Sequence, residues 1–514
     1  RLGYGELATA AAALPPLAEA PPLKDSKAFR LIGRGVRRVD GPAIVTGSAR
    51  YGLDVRLPGM RFAAVARCPV LGGSAGRVDE APARALPGVL AVARVSTGVA
   101  VIAESTWAAL RGRDALAVAW DEGPRRDFDS AHYRARLEAA ARAGGGRVTR
   151  REGEGADALA RAPRSLEALY AYPFQTHAPI EPANSVAHVQ EGRCEIWSPT
   201  QNPERIRTEA AALLGVPPEA VRVNVTLLGG GFGRRLGVDY ALEAVEASRA
   251  ARAPVMLVFS REDDTRHGFF QPASAHHLRA AIGERGAPIA WTHAKAGYLQ
   301  NLFGRPTPDD LKGPDFWRVA SHGAYDIPYE IADLETSYVE VEAPVPNGPY
   351  RSVFAPSCVF ARECFLDELA HAAGRDPLEL RLALLGGGRV ERPGPLAIDR
   401  PRLARVLRLA AEKAGWGGPL PPGRGRGIAA TIYHEDTFVA QVVEAEVSGG
   451  RVRARRVVCA VDAGTIVNPR DAEAQVEGGI IFGLSTALGG EITFRGGRCE
   501  QSGYGDYPIV RIDE

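Results

Sequence analysis

Lysine is almost absent from this chain of 514 residues: only Lys24, Lys27, Lys295, Lys312 and Lys413 interrupt a basic complement that is otherwise arginine. Together with abundant alanine and glycine, this usage reads as a GC-rich genome and not as a binding surface. The formal net charge is only +2, which gives no field for nucleic acid or an anionic membrane to follow. Cysteine is sparse and unpaired in pattern. Cys68, Cys194, Cys358, Cys364, Cys459 and Cys499 form no CxxC motif, which argues against an iron–sulfur cluster or zinc site within the chain. Buried free thiols are expected. No apolar run reaches membrane-spanning length and no signal peptide is visible. The chain starts at Arg1 and not at methionine, so a fragment of a longer protein is expected. GxxxxGK[ST] and GxGxxG are both missing, which argues against a nucleoside-triphosphate loop and against NAD.

What is present is ordinary globular protein, 45% hydrophobic and 24% charged, long enough for more than one domain. Residues 221–239 (VRVNVTLLGGGFGRRLGVD) organise the rest. Val221, Val223 and Val225 alternate as in a half-buried strand, and Gly229, Gly230 and Gly231 follow. Phe232, Gly233, Arg234 and Arg235 lead into an alanine-rich amphipathic helix over 240–252. Strand, glycine loop, paired arginines and helix suit an anion or a polar ring system, because loop N–H groups and a helix N-terminus point the same way. A tight turn with two solvated arginines fits the same letters.

Other residues attract notice along the chain. His177 and Glu181 flank a proline turn, where a structural role is the commoner one. Gln201 sits at a strand end, for ligand contact or for capping the helix over 204–214. Residues 261–267 read as a charged turn, solvated or bordering a pocket. Residues 344–351 (PVPNGPYR) form a rigid loop presenting Arg351. A helix over 470–488 is interrupted by Gly478 and Gly479, which implies close packing or a ligand beneath. The fold class is α+β: a terminal helix and linker over 1–29, a small mixed domain over 30–125, and two larger mixed units, 126–394 and 395–514. The second opens with a helix over 399–414 and an antiparallel hairpin, 438–447 with 452–461, and a last strand is expected over 507–512.

Four stretches carry a family resemblance: GGGFGRR (229–235), SPTQNP (198–203), NGPYRSVFAP (347–356) and AVDAGTIVNPRDAEAQVEGGIIFGL (460–484). In this order and spacing the chain resembles the molybdopterin-binding large subunit of the xanthine oxidase/aldehyde oxidase family, in its isoquinoline 1-oxidoreductase β-subunit type, over 30–514. The resemblance implies a hammerhead α/β domain over 30–125, then two molybdenum-cofactor-binding domains. It places Gly230, Gly231, Phe232, Gly233 and Arg234 against molybdopterin, in its cytosine dinucleotide form, with Gln201 beside the metal and Arg351 on a cofactor-contacting loop. It implies hydroxylation of an N-heteroaromatic carbon or an aldehyde with oxygen from water. Two electrons then leave to a small partner subunit with two [2Fe–2S] clusters, and on to an acceptor such as a cytochrome. The alternatives are an aldehyde dehydrogenase of the same family, or a non-catalytic cofactor-binding or assembly protein.

The chain also departs from the family pattern. Leu236 stands after Arg235 where purine-oxidising members carry a glutamate. A GQG segment and a Gly-Ser-rich cofactor loop are expected upstream of residue 1. The catalytic glutamate, in a GxGExG context, is expected beyond Glu514, which itself ends RIDE without glycines; Glu181 and Glu514 are the substitutes if that expectation fails. An upstream export signal would make the protein periplasmic or membrane-associated, and without one it would be cytoplasmic.

Overall fold

A computed structural model describes residues 2–512, apart from positions 16, 18, 284–285, 300–302, 304–311, 391–397 and 435. Glu514 and the proline boundary expected at 393–395 lie outside the described residues. Alternating apolar segments build a seven-stranded sheet in the order Val221–Val225, Arg193–Ser198, Asn184–Gln190, Val255–Val258, Arg61–Ala66, Gly98–Ala103, Val89–Val95. The helix Asp239–Ala251 lies on this sheet, and its Ala241, Ala244 and Val245 share one core with Val255 and Leu257. Its alanines let the helix approach the strands closely. Arg61–Ala66 pairs in parallel with Val255–Val258, so residues on both sides of position 125 share one sheet.

A second sheet runs in the order Arg147–Glu152, Asp333–Glu340, Pro288–Gly297, Ser274–Ile282, Ser165–Tyr172. The third is a meander of Arg424–Tyr433, Thr437–Ser448 and Arg451–Asp462. Its second turn is the expected one: Ser448 pairs with Arg451 across Gly449 and Gly450, both at positive φ, as a two-residue hairpin demands. The helix Arg400–Ala414 covers this meander with Leu403 and Leu407, in a core shared with Leu278, Trp291 and Phe365. That core continues across position 395. At its centre Glu363 accepts from Arg362 Nε (2.8 Å) and Arg381 Nε (3.0 Å), and Arg362 also donates to Ala430 O (3.0 Å). Burial opposes the Glu363 charge, but the Arg381 and Arg362 guanidiniums outweigh it and hold the carboxyl below its usual range.

Several elements differ from the sequence reading. Residues 261–267 are not a loop; Arg261–Arg266 is a short helix, started by reciprocal bonds between Ser260 and Asp263. Pro314–Ala320 is a further short helix, which the sequence reading did not single out. The helix Pro469–Leu488 runs without interruption through Gly478 and Gly479. No strand forms over 507–512; Tyr507 is instead buried and donates its hydroxyl to Thr176 O (3.1 Å). All six cysteines are free.

Candidate functional site

Arg193–Ser198 and Val221–Val225 are parallel neighbours, so the segments leaving their C-terminal ends, 199–202 and 226–233, emerge side by side. This is where open sheets with parallel strands offer a crevice. Gly229 is fixed first: its N–H donates to Glu181 Oε2 (2.7 Å) and its carbonyl accepts from Glu181 N (3.1 Å). The chain then turns through Gly230 (φ 106°), Phe232 (φ 53°) and Gly233 (φ 104°). Gly233 donates its N–H to Gln201 Oε1 (3.1 Å). The N–H groups of Gly230, Gly231 and Phe232 have no partner among the described residues. Free N–H groups in consecutive order form an anion-accepting concavity.

The second loop, 347–353, lies against the first. A Cβ on Gly233 would stand 1.8 Å from Pro349 O, so only glycine permits this approach. Pro349 O also accepts from His177 Nε2 (2.8 Å). Ser352 (φ 68°) and Val353 (φ 52°) are left-handed, as Phe232 is. Such non-glycine residues cost about 1–3 kcal/mol each and gather at functional sites. The Phe482 ring, from the helix Pro469–Leu488, joins the two loops: its centroid lies 4.9 Å from Phe232 and 5.0 Å from Tyr350. Arg351 stacks 5.9 Å from the same ring and donates Nη2 to Gln475 O (2.9 Å).

The structure therefore brings Gln201, Gly230, Gly231, Phe232, Gly233 and Arg351 together. Arg234 and Arg235 correct the sequence reading. Both are buried and turned inward, Arg234 onto the Asp239 carboxylate (2.9 and 2.7 Å) and Arg235 onto Glu181 O (2.8 Å) and Pro182 O (3.0 Å). Neither supplies charge to the loop's open face. Gln201 does not cap the helix Pro203–Leu214; Asn202 does, accepting from Arg205 N (3.2 Å). Glu181 is a scaffold: its carboxylate accepts from Gly229 N, Asn184 Nδ2 (3.0 Å) and Leu53 N (3.3 Å). A carboxylate so occupied is poorly placed to act as a base. Among the described residues outside their own helix, Gly478 and Gly479 meet only the Arg351 guanidinium, at 3.8 and 3.5 Å from where a Cβ would stand. Tyr350 and Phe482 join the site without having been singled out by the sequence; their one signal is that each is an aromatic beside glycine or arginine inside a quoted motif.

Residues 141–384 and 411–514 each match a family of molybdopterin cofactor-binding domains. The chain is 32% identical to the beta chain of isoquinoline 1-oxidoreductase from Brevundimonas diminuta, over 97% of its own length and 64% of the relative's. It is 30% identical to a nicotinate dehydrogenase subunit of Pseudomonas putida, over 97% of its own length and 43% of the relative's. It thus spans less than two thirds of either relative. Its fold matches the crystal structure of quinoline 2-oxidoreductase from Pseudomonas putida 86 with a TM-score of 0.74, at 17% identity, across 94% of this chain and 90% of that one. The α+β architecture around the two loops is therefore a shared one, and the chain belongs to the molybdopterin-binding large subunits of the xanthine oxidase family.

Proposed function

We propose that the two loops hold molybdopterin, in its cytosine dinucleotide form, in an enzyme that hydroxylates an electron-poor carbon of an N-heteroaromatic ring. The observation that carries this reading is the glycine loop: unpartnered N–H groups at 230–232, a backbone bare of Cβ at the seam with Pro349, and a flanking pair of aromatic rings. That arrangement suits a polar ring system with anionic substituents. Two relatives are named for isoquinoline and nicotinate, both N-heteroaromatic, and a third, 33% identical, is named as an aldehyde dehydrogenase, so oxidation of an aldehyde is the second reading. The cofactor, when bound, supplies the two-electron redox centre and the water-derived oxygen.

The chain's own residues orient and bind. Gln201 Oε1 is committed to the Gly233 N–H, so the other end of its carboxamide, an NH2 donor, is left for the ligand. Arg351 spends Nη2 on Gln475 and keeps the rest of its fork for an anionic group. Phe232 and Phe482 form an apolar wall that excludes water. Electrons would pass to a small subunit with two [2Fe–2S] clusters. The intact protein, purified with its partner subunit, is expected to contain molybdenum and to release a pterin on denaturation. Active protein without molybdenum overturns the reading.

A further inference from the structure

We infer that His177 is a positioning residue for this site: its Nε2–H holds the Pro349 carbonyl and thereby keeps the loop bearing Tyr350 and Arg351 seated on Gly233. The inference rests on the functional reading above. Pro349 O can only accept, so the 2.8 Å contact requires the proton on Nε2. Nδ1 is then a bare acceptor, and it is buried without a partner among the described residues. Such orphaned atoms are rare in folded proteins. This one is tolerated where one side chain reaches the seam between two cofactor loops.

The backbone around His177 is held as a positioning element should be. Ala178 is left-handed (φ 46°), a conformation an alanine adopts only where its surroundings impose it. Tyr504 donates its hydroxyl to Ala178 O and Pro179 O (both 3.1 Å), and Arg261 donates to Ile180 O (2.7 Å). Four residues beyond His177, Glu181 grips Gly229. One short, stiff segment therefore touches both loops, at Pro349 through His177 and at Gly229 through Glu181. The spacing between the loops is set by residues that never face the ligand.

The test compares the intact protein with its His177→Leu and His177→Gln variants, made in a host that synthesises molybdopterin. Leucine removes the donor; glutamine offers an amide N–H at similar reach. Pterin retained after gel filtration is expected to fall at least about tenfold in His177→Leu and to recover in His177→Gln, a factor of ten being about 1.4 kcal/mol of lost binding. Amide exchange of the stripped proteins is read in parallel. Residues 347–353 are expected to exchange at least about tenfold faster in His177→Leu than in wild type or His177→Gln, with Arg451–Asp462 unchanged. Unaltered exchange over 347–353, or equal loss in both variants, overturns the inference. Wild-type protein without pterin would overturn the functional reading instead, and the exchange pattern would still decide the role of His177.

Discussion

The two glycines nearest Gln201 and Pro349 do different work, and substitution separates them. At Gly231 a Cβ would meet Gln201 Oε1 at 2.7 Å, the far end of a flexible side chain that can swing away. Gly231→Val is therefore expected to leave the fold intact while displacing Gln201 from the Gly233 N–H and abolishing pterin retention. A global loss of stability in denaturant would show the loop to be merely a turn. At Gly233 the obstacle is backbone, Pro349 O at 1.8 Å, and φ is 104°. Gly233→Ala is expected to lower unfolding free energy by at least about 1–2 kcal/mol from handedness alone. Gln201→Ala should leave the cofactor bound and slow turnover about tenfold, the effect of losing one oriented donor worth about 1.4 kcal/mol. Unchanged turnover would remove Gln201 from the site.

Among the elements, the helix Pro469–Leu488 makes the sharpest test. Gly478 and Gly479 suggest a break or a close approach, yet the helix is continuous, and among the described residues outside the helix itself only the Arg351 guanidinium lies within 4 Å of either Cβ position. Gly478→Ala should therefore stabilise the stripped protein by about 0.5–1 kcal/mol, the helix-interior difference between the two residues. A loss in denaturant unfolding would reveal a backbone contact that the geometry does not contain. Legibility in the sequence follows the range of the interaction. Strand alternation at Val221, Val223 and Val225 and the glycines after it are local signals, so the loop is legible. The direction of Arg234 and Arg235 is not, because their partners Asp239 and Glu181 O are chosen by the fold. Arg261–Arg266 is hidden behind its charge, which suggests a solvated turn, although Ser260 and Asp263 stand at capping-box spacing.

At the scale of the whole molecule, burial has fixed the charge of several histidines. His177, His276 and His293 are each at most 2% exposed. Desolvation lowers all of them: His177 to about 4, with Arg234 adding to the effect against the Pro349 bond, His293 to about 3, and His276 well below 6.5. The unfolded chain takes up a proton on each near 6.5, while the folded chain refuses it until the lower value. Between these limits the unfolded state binds more protons, so the stability from neutral burial is complete above 6.5 and is lost as pH falls towards 4. For His177 the interval is worth about 3 kcal/mol. Comparing wild type with His177→Gln cancels every other titrating group, including buried carboxylates such as Glu363 and Asp264. The fall in unfolding free energy between pH 7 and pH 4, measured with denaturant at each pH, should therefore be smaller in the variant by about 3 kcal/mol. Parallel curves would mean that folded His177 carries a proton on both nitrogens in this range, although Nδ1 has no hydrogen-bond partner among the described residues.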